Sequence, residues 1–149
     1  MQQPELLSTL TQEGIELLKK LIKTPSVSRN EDKTAELIFN YLKNHGVKDV
    51  NRHLNNVWAV SKNFDKKKPT ILFNSHHDTV LPAKTYTRDP FSPDVEDGVL
   101  YGLGSNDAGG PAINLITTFF LITFTIPSFM MVLNHNFSIT HNISRTIFD

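Results

Sequence analysis

The 149-residue sequence contains no cysteine, which excludes disulfide bonds and thiolate metal sites. Any metal ion bound by this chain must therefore be held by histidine and carboxylate side chains. The absence of cysteine suits a reducing compartment. Residues 1–10 have neither the positive region nor the apolar run of a signal peptide. We therefore expect a cytoplasmic protein without a secretion signal.

The sequence also lacks an excess of charge of either sign, because 15 Lys and Arg residues balance 15 Asp and Glu residues. No basic cluster follows a predicted helix face, so we expect no nucleic-acid partner. Charge is missing from one region instead. Of the 30 charged residues, 28 lie in positions 1–110, and only Arg145 and Asp149 lie beyond them. The composition of the chain therefore changes near Gly110.

The spacing of hydrophobic residues predicts an α/β fold. A first helix is predicted from Thr11 to Thr24, and a second is predicted from an Asn30 N-cap to about His45. Short strands are predicted at 47–51 and 57–60, and a third follows Pro69. This order indicates helices packed on a mixed β-sheet, although it does not predict the order of the strands.

The third predicted strand, residues 70–75, runs directly into His76, His77 and Asp78. We interpret it as a buried strand that delivers reactive groups to the edge of the sheet, where sites of open α/β sheets are built. Because side chains alternate along an extended chain, His76 and Asp78 are expected to face one way and His77 the other. A hydrogen-bonded polar role is the simpler interpretation for a single histidine, and we assign it to His77.

A glycine-rich segment, residues 102–110, surrounds a single acid, Asp107. Small residues let the backbone approach a ligand or a metal ion closely. Asp107 could equally be the N-cap of the helix predicted to begin near Ala108. The segment lacks the third glycine of a dinucleotide-binding motif, and the sequence contains neither a P-loop nor a GxSxG nucleophile motif.

Three blocks of sequence, residues 72–80, 86–93 and 97–110, resemble the M20 metallopeptidase family in their order and spacing. The resemblance extends over about positions 8–120 and is closest to the acetylornithine deacetylase branch, an activity of arginine biosynthesis. Each block alone is a weak signal, whereas the three together are specific.

The resemblance implies a metal-dependent amidohydrolase that cleaves the amide bond of a small N-acyl amino acid with a pair of zinc ions, or cobalt. His76 matches a metal ligand, Asp107 matches the carboxylate that bridges the two metals, and Asp78 matches the catalytic acid that orients His76. Dipeptidase and succinyl-diaminopimelate desuccinylase activities are the alternatives within the family. The intact family forms homodimers. One departure is Gly109, where the family often has lysine.

Other parts implied by the resemblance have no counterpart in the sequence. No glutamate follows Glu96, so the Glu-Glu pair of the family has no candidate here, and we expect the dimerisation domain to be absent. We therefore expect an inactive N-terminal fragment, with residues 1–124 forming part of a catalytic domain. Residues 125–149 match nothing in the family, and we expect them to be a truncated or frameshifted tail in which His135 and His141 are incidental.

The uncharged run from Ile113 to Leu133 has the 21 residues needed for a membrane span. Six of them are Asn, Thr or Ser, one is Pro127, and no Lys or Arg flanks the run. This composition argues against a membrane-spanning helix. A membrane-anchored domain and a non-catalytic remnant remain the alternatives from other functional classes.

Overall fold

The computed structural model describes residues 3–123 and 129–133. Three helices, α1 (Gln3–Ile22), α2 (Asp32–Asn44) and α3 (Gly110–Ile122), accompany six strands. The strands are β1 (Asp49–His53), β2 (Asn56–Val60), β3 (Ile71–Ser75), β4 (Val95–Glu96), β5 (Val99–Leu100) and β6 (Phe129–Leu133). The predicted α/β architecture of helices on a mixed sheet is confirmed.

The four longer strands form one sheet in the order β1-β2-β6-β3. Strand β2 pairs antiparallel with β1 and β6, whereas β3 pairs in parallel with β6. Strand β3, helix α3 and strand β6 therefore form a βαβ unit, which brings the carboxyl ends of β3 and β6 to the same edge of the sheet. Strands β4 and β5 form a separate hairpin.

The helices pack on one face of this sheet. Alternate residues of the central strands point toward them, with Val57 and Ala59 from β2 and Met131 and Leu133 from β6, all fully buried. From the helical side the same core receives Leu17, Ala35, Ile38, Leu42, Ile116 and Phe119. Burial of apolar surface on this scale is the main stabilising term for the domain.

Two predicted helix starts differ from the structure. Helix α1 begins at Gln3 rather than near Thr11, because the residues before Thr11 continue the helix without a break and Thr11 donates its hydroxyl to the Leu7 carbonyl instead of capping. Helix α2 has Glu31 rather than Asn30 at its N-cap position. Its predicted end is confirmed, since Asn44 is its last residue and Gly46 has φ +79°.

The interpretation of β3 as a buried strand is wrong. Its burial pattern is mainly exposed, with Ile71 47% and Leu72 38% accessible. The physical reason is its position: β3 lies at one end of the described sheet and is paired on one side only, with β6. An apolar run in the sequence predicts a strand, but it does not tell whether that strand lies in the centre or at the end of the described sheet.

The uncharged run from Ile113 onward contains the end of helix α3 and, after residues that the structure does not describe, strand β6. Within the described ranges, no helix is long and apolar enough to cross a membrane. Strand β6 belongs to the part of the chain predicted as an unmatched tail, 125–149, yet Val132 and Leu133 are fully buried in the sheet. Most of that tail, with His135 and His141, lies outside the described residues.

Candidate metal centre

The sheet edge beyond β3 brings His76, Asp78 and Asp107 together. The His76 Nδ1 atom lies 3.0 Å from Asp78 Oδ1, and its Nε2 atom lies 3.2 Å from Asp107 Oδ1. The imidazole of His76 therefore lies between two carboxylates that are 29 residues apart in the sequence. All three side chains line one cleft of about 350 Å³, which also receives Tyr86 and the loop 102–106.

Backbone alternation at the end of β3 separates the two histidines. The side chains of His76 and Asp78 are 42% and 20% exposed in the cleft, whereas His77 is only 4% exposed. The prediction that His76 and Asp78 share one side and His77 points away is therefore confirmed.

Asp107 reaches the cleft from an irregular turn, Ser105–Gly109, that precedes α3. Gly104 enters this turn with φ +77°, and the Gly109 N–H closes it by donating to the Gly104 carbonyl at 2.8 Å. The N-cap position of α3 is Gly109, not Asp107, so the capping interpretation of Asp107 is wrong. Its side chain is 88% exposed and lies in the cleft beside His76.

The departure at Gly109 has a local explanation. A Cβ atom at this position would lie 2.6 Å from the Gly104 carbonyl oxygen and 2.7 Å from Leu18 Cδ1. Both distances are far shorter than ordinary contacts between these atoms. In this chain the turn that presents Asp107 is closed so tightly that only glycine fits at 109.

A loop before α2 holds the other side of the site, and no sequence motif predicts this role. The Ser28 hydroxyl donates to Asp78 Oδ2 at 2.5 Å, and the Ser26 hydroxyl donates to the His77 carbonyl at 3.0 Å. The Thr79 N–H donates to the Ser26 carbonyl at 2.8 Å. Because each of these bonds crosses about 50 residues of chain, periodicity and local motifs could not predict them.

The ring of His76 presents a hydrogen-bonding conflict. A neutral imidazole has one N–H and one lone pair, but both ring nitrogens face carboxylate oxygens. Its buried Nδ1 atom, moreover, completes no aligned hydrogen bond. One nitrogen lone pair must therefore oppose a negative oxygen unless a cation is shared or the ring is protonated. A divalent metal that prefers imidazole and carboxylate ligands fits this pair of donors.

The donor set within the described residues is small. Across residues 3–123 and 129–133, no group of three or more histidine, cysteine or acidic side chains converges as a metal site. Zinc sites in proteins usually use three or four protein ligands. His76 and Asp107 offer two donors of the kind that such a site uses, which is fewer than a complete zinc site has.

Comparisons with known proteins agree with the fold. No model of a known protein family matches the chain. Over 102 residues it is 34% identical to the succinyl-diaminopimelate desuccinylase of Blochmanniella floridana, an alignment that covers 64% of this chain and 27% of that enzyme. The chain therefore spans about a quarter of the length of this relative.

Two solved structures share the fold at low sequence identity. Human carnosine dipeptidase 1 superposes with a TM-score of 0.68 and 18% identity, covering 88% of this chain and 34% of that protein. A dinuclear metal-binding peptidase of the M20 family from Bacillus subtilis gives a TM-score of 0.57 at 18% identity, with 89% and 35% covered.

The chain thus shares its fold with solved peptidases, one of them a dinuclear metal-binding peptidase, and aligns in sequence with a desuccinylase. More narrowly, the N-terminal part of this chain is homologous to the M20 family of peptidases and amidohydrolases. The relative aligned above is a desuccinylase rather than an acetylornithine deacetylase, so the deacetylase branch stays a prediction.

Proposed function

We propose that this chain provides the first part of a dinuclear metal site that hydrolyses the amide bond of an N-acyl amino acid. The observation that carries the proposal is the position of the His76 imidazole between the Asp78 and Asp107 carboxylates in an open cleft. The name of the desuccinylase relative indicates that its substrate is an N-acyl amino acid of this kind.

Each of the three residues has a distinct role in this proposal. Asp78, whose Oδ1 lies 3.0 Å from His76 Nδ1, would orient the ring once the Nδ1 proton is aligned on it, so that Nε2 serves as the metal ligand beside Asp107. His76 Nε2 and the Asp107 carboxylate would then be the groups of this chain that hold zinc, or cobalt. Ser28 keeps the Asp78 carboxylate in place through its hydroxyl.

When bound, such metals polarise a carbonyl group and lower the pKa of water. Around them, Val80, Tyr86 and the loop 102–106 line the cleft. No residue in the described ranges is assigned as the general base, because the sequence contains no glutamate after Glu96.

A metal titration tests the site. We expect the purified chain to bind Co²⁺ or Zn²⁺ weakly, and His76→Ala and Asp107→Ala each to abolish the binding. Glu96→Ala serves as a matched control, because this exposed carboxylate pairs with Arg88 and does not line the cleft. Unchanged metal stoichiometry in both site variants would refute the assignment.

A chimera tests the reaction. Residues 3–123 of this chain replace the aligned segment of the desuccinylase relative, which supplies the remaining parts of the site. We expect metal-dependent release of succinate or acetate from the N-acylated diamino acid, and complete loss of release in the Asp107→Ala chimera. The acyl group that is released distinguishes a desuccinylase from an acetylornithine deacetylase, and turnover of a dipeptide would instead favour the dipeptidase alternative.

The non-catalytic alternative applies to the chain by itself. We expect no turnover of N-acetylornithine or N-succinyl-diaminopimelate by the 149-residue chain, since two metal ligands and no general base are a poor catalytic set. Metal binding without turnover by the chain, combined with turnover by the chimera, is the pattern that the proposal predicts.

A further inference from the structure

A second group of polar residues lies behind the candidate metal centre, on the side of the chain to which His77 points. Glu31, Thr34 and His77 are 0%, 1% and 4% exposed. Burying polar groups to this extent is costly unless each finds a hydrogen-bond partner. The proposed metal chemistry uses none of these side chains, so their burial requires another explanation.

His77 is bonded at both ring nitrogens. Its Nε2 lies 2.9 Å from the Asn55 carbonyl oxygen, and its Nδ1 lies 2.9 Å from Thr34 Oγ1. A carbonyl can only accept, so the ring carries its proton on Nε2. With the proton on Nε2, the Nδ1 lone pair is left to accept from the Thr34 hydroxyl.

The Thr34 hydroxyl completes this arrangement. It lies within reach of two acceptors, His77 Nδ1 at 2.9 Å and the Glu31 carbonyl oxygen at 3.0 Å. The Glu31 carbonyl already accepts the Ala35 N–H at 2.8 Å. The lone pair on His77 Nδ1, by contrast, still needs a donor, because the ring proton is on Nε2. We therefore assign the single hydroxyl proton of Thr34 to a hydrogen bond with His77 Nδ1.

The Glu31 carboxylate fixes the other partner of the ring. Its Oε2 accepts from Asn55 Nδ2 at 2.6 Å, and its Oε1 accepts from the Arg29 N–H at 2.6 Å. Asn55 lies in the turn between β1 and β2, which is otherwise a poor anchor because short turns are exposed and mobile. With Glu31 holding its side chain, Asn55 presents its carbonyl to His77 in a fixed position.

We propose that His77 is a positioning residue, which fixes the orientation of His76 and Asp78 by tying the end of β3 to Thr34 and Asn55. The inference rests on the proposed function for its consequence, namely metal affinity. The loop 26–28 bonds the same segment through the His77 carbonyl, Asp78 and Thr79. The end of β3 is thus held on one side by the loop 26–28 and on the other by the contacts of the His77 ring.

Metal affinity measures this positioning. Co²⁺ titration of the full chain compares wild type with His77→Gln and Thr34→Val, while Thr34→Ser restores the hydroxyl. We expect both disruptive variants to weaken Co²⁺ binding by about tenfold, the lower end of the cost of losing a residue that supports a metal ligand. Thr34→Ser should bind as wild type does. His53→Gln, an exposed position at the end of β1, is the matched histidine control.

The result that overturns the proposal is unchanged Co²⁺ affinity in both disruptive variants. Far-UV circular dichroism establishes that each variant is folded. If His77→Gln does not fold, the pair Thr34→Val and Thr34→Ser decides, because Thr34→Val replaces the hydroxyl with a methyl group at nearly constant volume, whereas Thr34→Ser keeps the hydroxyl and loses a methyl group. A purely structural role would lower the melting temperature without changing the affinity of the folded variants.

Nuclear magnetic resonance separates this inference from the proposed function, because it needs no metal. At pH 7.5 the ¹⁵N shifts of His77 should report the proton on Nε2, and Thr34→Val should shift the ring resonances of His76 while His53→Gln leaves them in place. A proton on His77 Nδ1, or unmoved His76 resonances in Thr34→Val, overturns the positioning role. If wild type binds no Co²⁺ while these shifts occur, the metal site fails and the positioning role stands.

Discussion

His76 and His77 are adjacent in the sequence, but they lie in regions with opposite properties. On one side of the chain, His76 faces Asp107 in an open cleft, and the Asp107 side chain is 88% exposed. On the other side, His77 contacts Thr34 and Asn55 in a buried polar cluster that includes Glu31. The cleft has unmet bonding capacity at His76, whereas the buried side bonds both nitrogens of His77.

The difference shows how one short segment can serve two purposes. An extended backbone directs successive side chains to opposite faces, so a ligand and its anchor can occupy consecutive positions. Substitutions on the buried side are expected to lower both stability and metal affinity, whereas substitutions in the cleft are expected to change metal binding alone. The following experiments test that division.

The largest effect on stability is expected for Glu31→Ala. The substitution removes the buried carboxylate that accepts from the Arg29 N–H and from Asn55 Nδ2. A hydrogen bond to a charged group contributes about 1.5–3 kcal/mol. Chemical denaturation measures the free energy of unfolding, with the exposed Glu36→Ala on the same helix as the control. Equal stability of the two variants would show that the buried cluster does not stabilise the fold.

Gly104→Ala is expected to have the next largest effect. Both Gly104 and Gly98 have positive φ, +77° and +79°, so alanine at either position costs roughly 1–2 kcal/mol. A Cβ at 104 would also lie 2.6 Å from Thr79 Cγ2, whereas a Cβ at 98 meets nothing within 4 Å. The melting temperature of Gly104→Ala should therefore be lower than that of Gly98→Ala. The reverse order would contradict the packing of the 102–106 loop against Thr79.

A smaller effect concerns pH. Burial lowers the pKa of His77 below that of the unfolded chain, so the unfolded state binds the proton more readily. The stability that comes from neutral His77 is fully present above the ordinary histidine pKa of about 6.5. It is lost as the pH falls below that value, by at most about 1.4 kcal/mol per pH unit.

The measurement compares unfolding free energies at pH 7.5 and pH 5 for wild type and His77→Gln. Other groups titrate in both proteins, so the difference between the two slopes isolates His77. Wild type should lose more stability on acidification than the variant. Parallel slopes would show that His77 is not held neutral in the folded state.

The sequence predicted the elements that depend on local pattern. Helix α2 and strands β1, β2 and β3 follow from periodicity and turn residues, and the opposite directions of His76 and His77 follow from strand alternation. Asp107 and His76 were predicted to act together because of a family resemblance, since no local rule joins residues 31 positions apart.

The remaining features depend on tertiary structure. Strand β3 looked buried because its residues are apolar, but burial is decided by neighbouring strands, and β3 has only β6 beside it in the described sheet. The contacts of Ser28 with Asp78 and of Asn55 with His77 join distant segments through single hydrogen bonds. Serine and asparagine in loops are too common for sequence alone to reveal such roles.

The most direct test of the metal site follows the two histidine rings during a Zn²⁺ titration. In wild type, the ¹⁵N resonance of His76 Nε2 should shift strongly while both nitrogens of His77 stay in place. In Asp107→Asn, whose stability should match wild type within about 0.5 kcal/mol because the side chain is exposed, the His76 shift should disappear. An undiminished His76 shift in Asp107→Asn, or a shift at His77, would contradict the site described here.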